Sequence, residues 1–351
     1  MAKESPAHAF HSAAYYETPD APQMPLKGWL GADLVFDIDA DHLSCPCQKR
    51  HDSWWCLDCG YREKGIRPET CPKCGGSRFG ELKWMCEECL GTAKNEAIKL
   101  IENFLVSDFG ISRSETMVVF SGHRGYHVHC YSDEARGLGS QERREIVDYV
   151  RATGLDLKFH GFADDAHGIP RGPDIHTPGW ERKMAQGIRD LFRAPDQLLE
   201  VPGLAPQQRQ ILRSEAGGIY KRLLEEPPRY VAPKHVGPAA WQAMAQHVVA
   251  KATAAVDEPV TTDVHRLIRL PGSLNGKTGF LVKKLDIGSL DTFDPFRDAQ
   301  VFKGEAEVFV EDSPAFRIGE VEYAPMHQVK KQLPLSVAIF LLCKGVAKLA
   351  Q

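Results

Sequence analysis

The feature that most constrains the fold is a run of eight cysteines, in four close pairs, between Cys45 and Cys89. Residues 1–25 lack the apolar segment of a secretory signal, so these clustered thiols favour metal ions over disulfides. Four thiolates suit zinc, a borderline-soft ion that accepts tetrahedral ligands without a directional demand of its own. Buried free cysteines or a single redox pair fit this clustering less well. The sequence therefore predicts two closed, structural zinc sites.

The spacing of the pairs favours a nested arrangement within a zinc-binding insertion, residues 44–91. Eleven residues separate the two inner pairs, which is enough for a short hairpin in a compact ribbon. The outer pairs would then close the base of the insertion, with His51 as an alternative to one of the first two cysteines. The predicted ligands are Cys56, Cys59, Cys71 and Cys74 for the inner ribbon, and Cys45, Cys47, Cys86 and Cys89 for the outer site.

The rest of the chain predicts an α+β body that is interrupted by a second, helical insertion. Strand patterns such as LVFDID, ETMVVFSG and GYHVHCYS surround helical spacing at 92–107 and 140–154. A mostly helical stretch follows, and strand character then returns near the C-terminus. The predicted divisions are a catalytic body formed by 1–43, 92–185 and 256–351, the zinc-binding insertion 44–91, and a helical subdomain 186–255.

The net charge and hydropathy of the chain exclude few classes of function. A net charge of −4 neither suggests nor excludes a nucleic acid partner, because a mildly acidic chain can carry a local basic groove. The longest apolar run lies within residues 333–350, and its uninterrupted core is short of the roughly 20 residues of a membrane span. We therefore expect a buried or partner-facing C-terminal helix, a cytoplasmic location and no membrane partner.

Two acidic residues, Asp37 and Asp39, lie inside an apolar strand pattern. Residues two apart on a strand point to the same face, so the two carboxylates would repel each other unless a cation lay between them. Hard divalent ions such as Mg²⁺ or Mn²⁺ take oxygen ligands of this kind, and a third carboxylate commonly completes a two-ion site. The alternative is a strand end where acidic side chains meet solvent.

The segment SGHRGYHVH combines a turn with polar side chains. Gly122 and Gly125 allow the backbone to approach a ligand closely. Ser121, Arg124 and His127 supply a hydroxyl, a guanidinium and an imidazole, which suit polyphosphate oxygens. The alternative is a hairpin that merely carries polar residues.

A third cluster lies in residues 256–280, where acidic and basic side chains alternate. Such a mixture suits a site that binds a metal at one end and phosphates at the other, and a solvated strand–loop–strand is the alternative. The charged residues are Asp257, Glu258, Asp263, Arg266, Arg269 and Lys277.

Together, LVFDIDADHL, CEECL, VVFSGHRGYHVH and DEPVTTDVHRLIRLPGSLNGKTG resemble, in order, motifs of the small catalytic subunit of the archaeal–eukaryotic DNA primase, and most closely its archaeal branch. The resemblance extends from about residue 28 to the C-terminal helix. It implies the mixed α/β primase catalytic body as the fold.

The resemblance also implies roles for individual residues. Asp37 and Asp39 match the metal-binding pair, and Asp257 matches the third catalytic aspartate, although Asp263 lies closer to the basic stretch. Two departures are Asn275, where the family usually has histidine, and the extra cysteine ribbon. The implied nucleotide-binding residues are Ser121, Gly122, His123, Arg124, Gly125, His127, Arg269, Asn275 and Lys277.

The implied activity is the synthesis of short primers on single-stranded DNA from nucleoside triphosphates, NTPs or dNTPs, for DNA replication. The implied cofactors are catalytic Mg²⁺ or Mn²⁺ and structural Zn²⁺, and the implied protein partner is a large primase subunit in a heterodimer. Two alternatives stay open at this point. One is a related primase-polymerase of DNA repair or end joining, and the other is a non-enzymatic zinc-ribbon module that binds nucleic acid.

Overall fold

A computed structural model describes residues 6–43, 45–162 and 172–350. The strands are β1 (Phe10–Ser12), β2 (Ala14–Tyr16), β3 (Trp29–Ala32), β4 (Leu34–Asp39), β5 (Ser53–Cys56), β6 (Arg62–Lys64), β7 (Phe79–Leu82), β8 (Thr116–Phe120), β9 (Gly125–Cys130), β10 (Leu267–Arg269), β11 (Lys283–Leu285), β12 (Glu305–Ser313), β13 (Phe316–Ile318), β14 (Val321–Tyr323), β15 (Met326–Pro334) and β16 (Ala347–Leu349). The α-helices are α1 (Gln48–His51), α2 (Glu87–Leu100), α3 (Asp133–Arg136), α4 (Ser140–Val150), α5 (Trp180–Arg193), α6 (Pro206–Ser214), α7 (Ala216–Leu223), α8 (Ala239–Ala252), α9 (Glu258–Thr262), α10 (Pro295–Asp298) and α11 (Leu335–Cys343). This mixture confirms the predicted α+β class.

A four-stranded antiparallel sheet in the order β11–β8–β9–β4 carries the predicted motifs. Strands β8 and β9 are buried along their whole length and form the predicted hairpin. Helix α2 packs on β9 and β4, and Leu90, Ala93, Ala97 and Leu100 are its buried apolar side chains. Their spacing of three and four residues is the helical stripe expected from the sequence.

The cysteine-rich insertion contains a small sheet of its own, in the order β6–β5–β7. Trp54 of β5 is buried and packs against the rings of Tyr61 and Phe79. So little apolar area cannot stabilise so short a segment by itself, which is why metal ligands are expected there.

The C-terminal segment differs from the single helix predicted for residues 333–350. Helix α11 ends at Cys343, Gly345 follows with φ +71°, and the chain returns as β16 against β12. A positive φ suits glycine and breaks the helix. Phe340 of α11 is buried against Trp84, Phe280 and Phe316, so the helix packs inside the protein. None of the helices in the described part of the chain is long and apolar enough to cross a membrane.

The described residues divide into two compact units. One comprises the chain up to Ile101, Ile111–Val147 and the chain from Ala255 onward, and the other comprises Glu102–Gly110 and Asp148–Ala254. The second, helical unit is larger than the predicted 186–255, because the rings of Phe104, Tyr149 and Trp180 pack together inside it. All of the predicted site residues lie in the first unit.

Candidate active site and zinc sites

The two carboxylates of β4 project from an otherwise buried strand. Asp37 and Asp39 are partly exposed, whereas the residues between and before them are buried. In the sheet register, Asp37 lies opposite His127 and Asp39 opposite Gly125 of β9. A Cβ at position 125 would lie 2.3 Å from the carbonyl oxygen of Ile38, so only glycine permits this close approach. The pairing therefore brings the turn of the β8–β9 hairpin beside the carboxylates.

Asp257 is the third acidic residue at this place. It directly precedes α9, and its backbone N–H donates to the carbonyl oxygen of Asp37 at 3.0 Å. Burial, and then the charge of Asp257, raise the pKa of Asp37 to about 6. Asp263 lies at the other end of α9, where its carboxylate accepts from the backbone of His265. The structure thus brings Asp257, and not Asp263, against the pair.

His127 faces the same carboxylates. Its Nε2 lies 3.7 Å from Oδ1 of Asp37, and its side chain is buried. Burial, and then the positive charge of Arg269, lower the pKa of His127 to about 3. The imidazole is therefore neutral near pH 7 and can act as a hydrogen-bonding group but not as a cation.

The turn Ser121–Gly125 is held by the loop that follows β10. Asn275 is fully buried; its amide nitrogen donates to the carbonyl oxygen of Ser121 at 2.8 Å, and its side-chain oxygen accepts from the backbone of Lys277. The hydroxyl of Thr278 donates to the carbonyl oxygen of Gly122. The side chain of Asn275 therefore holds the turn through hydrogen bonds to the backbone, and its contact with a nucleotide stays a prediction.

Basic side chains gather on the other side of the turn. Lys344, beyond the end of α11, lies with its Nζ 3.1 Å from Nε2 of His123 and donates to the carbonyl oxygen of Lys83 at 2.9 Å. Burial, and then Lys344, hold the pKa of His123 well below its usual value. Within the described residues, none of Lys277, Lys344 and Arg269 forms an ion pair with a carboxylate. The charges of Asp37 and Asp39 nevertheless act on Arg269, and those of Asp52 and Asp41 act on Lys344. Sequence reasoning missed Lys344, since its only signal was a lysine at the end of an apolar run.

Unlike the cations of this basic group, Arg124 forms ion pairs with carboxylates. Its side chain has no exposed surface, and its guanidinium pairs with carboxylates of Asp41 and Asp52 at 3.1 and 3.0 Å. Its second terminal nitrogen lies 3.6 Å from the sulfur of Cys89. Asp52 and Cys89 belong to the cysteine-rich insertion, so the buried guanidinium contacts that segment in this structure, and the contact of Arg124 with phosphate stays a prediction.

Two clusters have ligand atoms that all lie within 4.8 Å of one another, and both consist of cysteine or cysteine and histidine. In the ribbon, the sulfurs of Cys56 and Cys74 are 3.6 Å apart and those of Cys59 and Cys71 are 3.7 Å apart. Zinc–sulfur bonds of about 2.3 Å in a tetrahedron place sulfurs about 3.8 Å apart, so the ribbon cysteines fit a zinc ion.

The outer cluster consists of Cys47, His51, Cys86 and Cys89. It matches the alternative in which His51 takes the place of one of the first two cysteines, here Cys45. Cys47 and His51 are four residues apart around the short helix α1, which turns both side chains to one side. Nδ1 of His51 bonds the carboxylate of Asp52 at 2.7 Å, which leaves Nε2 directed at the sulfurs. Cys45 packs among Ala40, Cys47 and Cys89 in an apolar cluster.

Comparison with known proteins agrees with the motifs. The family model described as DNA primase small subunit matches residues 81–287. The DNA primase small subunit PriS of Methanothrix thermoacetophila is 36% identical over 98% of this chain and 84% of its own length. PriS of Methanosarcina acetivorans is 34% identical over 98% and 82%, and PriS of Cenarchaeum symbiosum is 31% identical over 100% and 84%. The chain therefore belongs to the DNA primase small-subunit family and has the function of a primase catalytic subunit, as its motifs predict.

Proposed function

We propose that this chain makes primers by template-directed nucleotidyl transfer on single-stranded DNA, with Asp37, Asp39 and Asp257 as the ligands of two Mg²⁺ or Mn²⁺ ions. When bound, such ions lower the pKa of the attacking 3′-hydroxyl and neutralise the pyrophosphate leaving group. The observation that carries the proposal is the place of Asp257, whose backbone bonds Asp37 and whose charge acts on that carboxyl, at the strand that also carries Asp39.

The carboxylates are suited to hold cations and little else. Burial and mutual repulsion disfavour the charged form of Asp37, so a cation that enters the site relieves an existing cost. The three side chains do not form one of the clusters with ligand atoms within 4.8 Å among the described residues. Asp257 is held beside the strand of the other two carboxylates by its backbone bond to Asp37.

The triphosphate of the incoming nucleotide is proposed to lie along the basic group. Lys277, Arg269 and Lys344 would supply positive charge to its oxygens, and Ser121, His123 and His127 would supply neutral hydrogen-bonding groups. This charge is available because none of the three cations forms an ion pair with a carboxylate of the described residues. Gly122, with φ +74°, and Gly125 keep the backbone of the turn close to both the carboxylates and the phosphates.

The proposed partners are single-stranded DNA as the template, NTPs or dNTPs as substrates, and a large primase subunit. The relatives carry the words small subunit in their names, which supports a heterodimer.

The decisive experiment is a primer-synthesis assay on bare single-stranded template with labelled NTPs or dNTPs, with and without the large subunit. Asp39→Asn keeps the size and removes the charge of one ligand, so we expect no detectable primer and a loss of at least about 1,000-fold, of the size that a missing charge-stabilising group produces. Circular dichroism and a zinc content equal to wild type serve as controls for folding. Primer yield close to wild type from the variant would contradict the assignment.

The two alternatives give different outcomes in the same assay. A related enzyme that serves repair or end joining as a polymerase would extend an annealed primer but would not join two free nucleotides. A non-enzymatic zinc-ribbon module would bind single-stranded DNA without any synthesis in Mg²⁺ or Mn²⁺. The convergence of Asp37, Asp39 and Asp257 favours an enzyme, since a ribbon module has no use for three adjacent carboxylates.

A further inference from the structure

We propose that Arg124 is a positioning residue that couples the outer zinc site to the turn Ser121–Gly125, so that zinc binding sets the geometry of the nucleotide site. The proposal rests on the proposed function only in taking the turn to bind a nucleotide. The contact of Arg124 with the zinc site does not depend on the proposed function.

One end of the coupling is the guanidinium of Arg124. Nη1 donates to Asp52 at 3.0 Å and lies 3.1 Å from the carboxylate of Asp41, and Nη2 lies 3.6 Å from the sulfur of Cys89. The side chain has no exposed surface in this structure. The three partners fix its direction, because arginine donors form a rigid planar fork.

Asp52 connects Arg124 to a second zinc ligand. Its Oδ2 accepts from Arg124, and its Oδ1 bonds Nδ1 of His51 at 2.7 Å and accepts from the backbone N–H of Trp84 at 2.8 Å. A carboxylate that bonds the outer nitrogen of a metal-binding histidine fixes the orientation of the ring and strengthens the ligand. Arg124 therefore contacts one zinc ligand directly and another through a single carboxylate.

The other end of the coupling is the backbone of Arg124. Its carbonyl oxygen accepts from Ala40, the residue after Asp39, at 3.0 Å. The next residue, Gly125, donates its N–H to the hydroxyl of Ser121 at 3.3 Å and accepts from the backbone of Ser121 at 3.0 Å. A shift of the guanidinium would therefore move both the turn and the end of the strand that carries the carboxylates.

The chain offers a matched control in Arg143. This arginine is also almost fully buried in the same unit, but its guanidinium donates to backbone carbonyl oxygens of Ala32, Asp33 and Leu138. Arg143→Met therefore reports the general cost of losing a buried arginine, and Arg124→Met reports that cost together with the loss of the zinc contacts. Arg124→Lys keeps the positive charge but lacks the planar set of guanidinium donors. It is the variant to use if Arg124→Met does not fold.

The first measurement is zinc release to a chromophoric chelator from the full-length protein, which is expected to hold two equivalents. We expect Arg124→Met to speed the release of one equivalent by about 10–100-fold, the usual cost of losing a group that supports a metal ligand. The other equivalent should keep its wild-type rate, as should both equivalents in Arg143→Met. Unchanged release in both Arg124 variants would overturn the proposal.

The second measurement is the affinity for labelled ATP in the presence of Mg²⁺, with a double-mutant cycle between Arg124→Met and Cys86→Ser. If Arg124 acts through the zinc site, the two variants weaken ATP binding to a similar extent and the double variant is no weaker than either. If the two losses of ATP affinity multiply in the double variant, or if Arg124→Met binds ATP weakly but releases zinc normally, the proposal is overturned. Arg124 would then contact the phosphates directly. Absence of ATP binding in wild type would count against the proposed function, while the zinc-release result would still decide the contact of Arg124.

Discussion

In the outer cluster and in the ribbon cluster alike, two of the four ligand residues are buried, but the other two are half-buried in the outer cluster and exposed in the ribbon. Cys47 and Cys89 of the outer cluster are buried and lie next to Arg124 and Ala40. In the ribbon, Cys59 and Cys74 are exposed, as are Leu57 and Ile66. Asp58, which lies between two of the ribbon ligands, forms its ion pair within the insertion, with Arg78.

This difference shows that two clusters with similar ligands can have different relations to the rest of the protein. Both clusters supply four ligand atoms at distances suited to zinc. Only the outer cluster shares hydrogen-bond partners with the turn beside Asp37 and Asp39 in the described residues. Removing zinc from one or the other should therefore separate an effect on the nucleotide site from an effect on local folding.

The largest effect is expected from Cys89→Ser in the outer site. This change removes a zinc ligand and also the sulfur beside Arg124, so the loss of primer synthesis should exceed the about 100-fold typical of groups that merely support a ligand. Zinc analysis should give one equivalent instead of two. If the variant kept one equivalent of zinc and an activity near wild type, the outer cluster would have no special effect on the nucleotide site.

The matched change in the ribbon is Cys71→Ser, which should also remove one zinc equivalent. Affinity for ATP should change by less than about twofold, because substitutions remote from a site usually alter energies by no more than about 0.5 kcal/mol. Proteolysis should reveal new cleavage within residues 56–79, where the ribbon loses its cross-link. A loss of ATP affinity equal to that of Cys89→Ser would show that the ribbon also supports the nucleotide site.

The elements that carry the carboxylates could be predicted from sequence because local patterns determine them. Alternation in LVFDID places Asp37 and Asp39 on one face, and the structure has that strand at Leu34–Asp39. The two glycines of the turn likewise mark a close backbone approach. The confirmed family and α+β class rest on such patterns together with the order of the motifs.

What could not be predicted depends on contacts between distant segments. Lys344 and His123 are 221 residues apart, and no local pattern links them. The sequence named His51 as an alternative ligand but did not decide between it and the cysteines, because the choice depends on a single helical turn after Cys47 that is too short to show periodicity. Whether Arg124 and Asn275 face a ligand or the interior is decided by the packing of the insertion and the last strands around the turn.

An intermediate effect is expected from Lys344→Met, which tests the basic side of the turn. Losing a charged hydrogen bond to phosphate should raise the KM for nucleotide about tenfold or more, with little change in zinc content. Burial, and then the charge of Arg124, lower the pKa of Lys344 to about 7. The other charged groups that act on Lys344 are Asp52, Asp41 and Lys277, and its Nζ lies beside the ring of His123. Because the protonated lysine binds the anion, wild-type affinity should fall as pH rises above about 7.

This pH dependence provides the control for that variant. In Lys344→Met the fall in nucleotide affinity between about pH 7 and 9 should be absent, whereas Lys344→Arg should bind well across the range because arginine stays charged. Affinity that falls equally in wild type and Lys344→Met would assign the titration to another group.

The smallest effect is expected from Asp58→Asn in the ribbon, compared with Asp52→Asn beside the outer site. Asp58 lies between two ribbon cysteines, but its partner Arg78 is mostly exposed, and ion pairs in that setting contribute little. Asp52 is buried and bonds His51, Arg124 and the backbone of Trp84 at once. Zinc release should therefore stay within about twofold of wild type in Asp58→Asn and quicken by about tenfold or more for one equivalent in Asp52→Asn. Equal rates of zinc release from the two variants would mean that the buried carboxylate of Asp52 supports its zinc ligand no better than the exposed carboxylate of Asp58. The difference between the two clusters would then rest on the position of Arg124 alone.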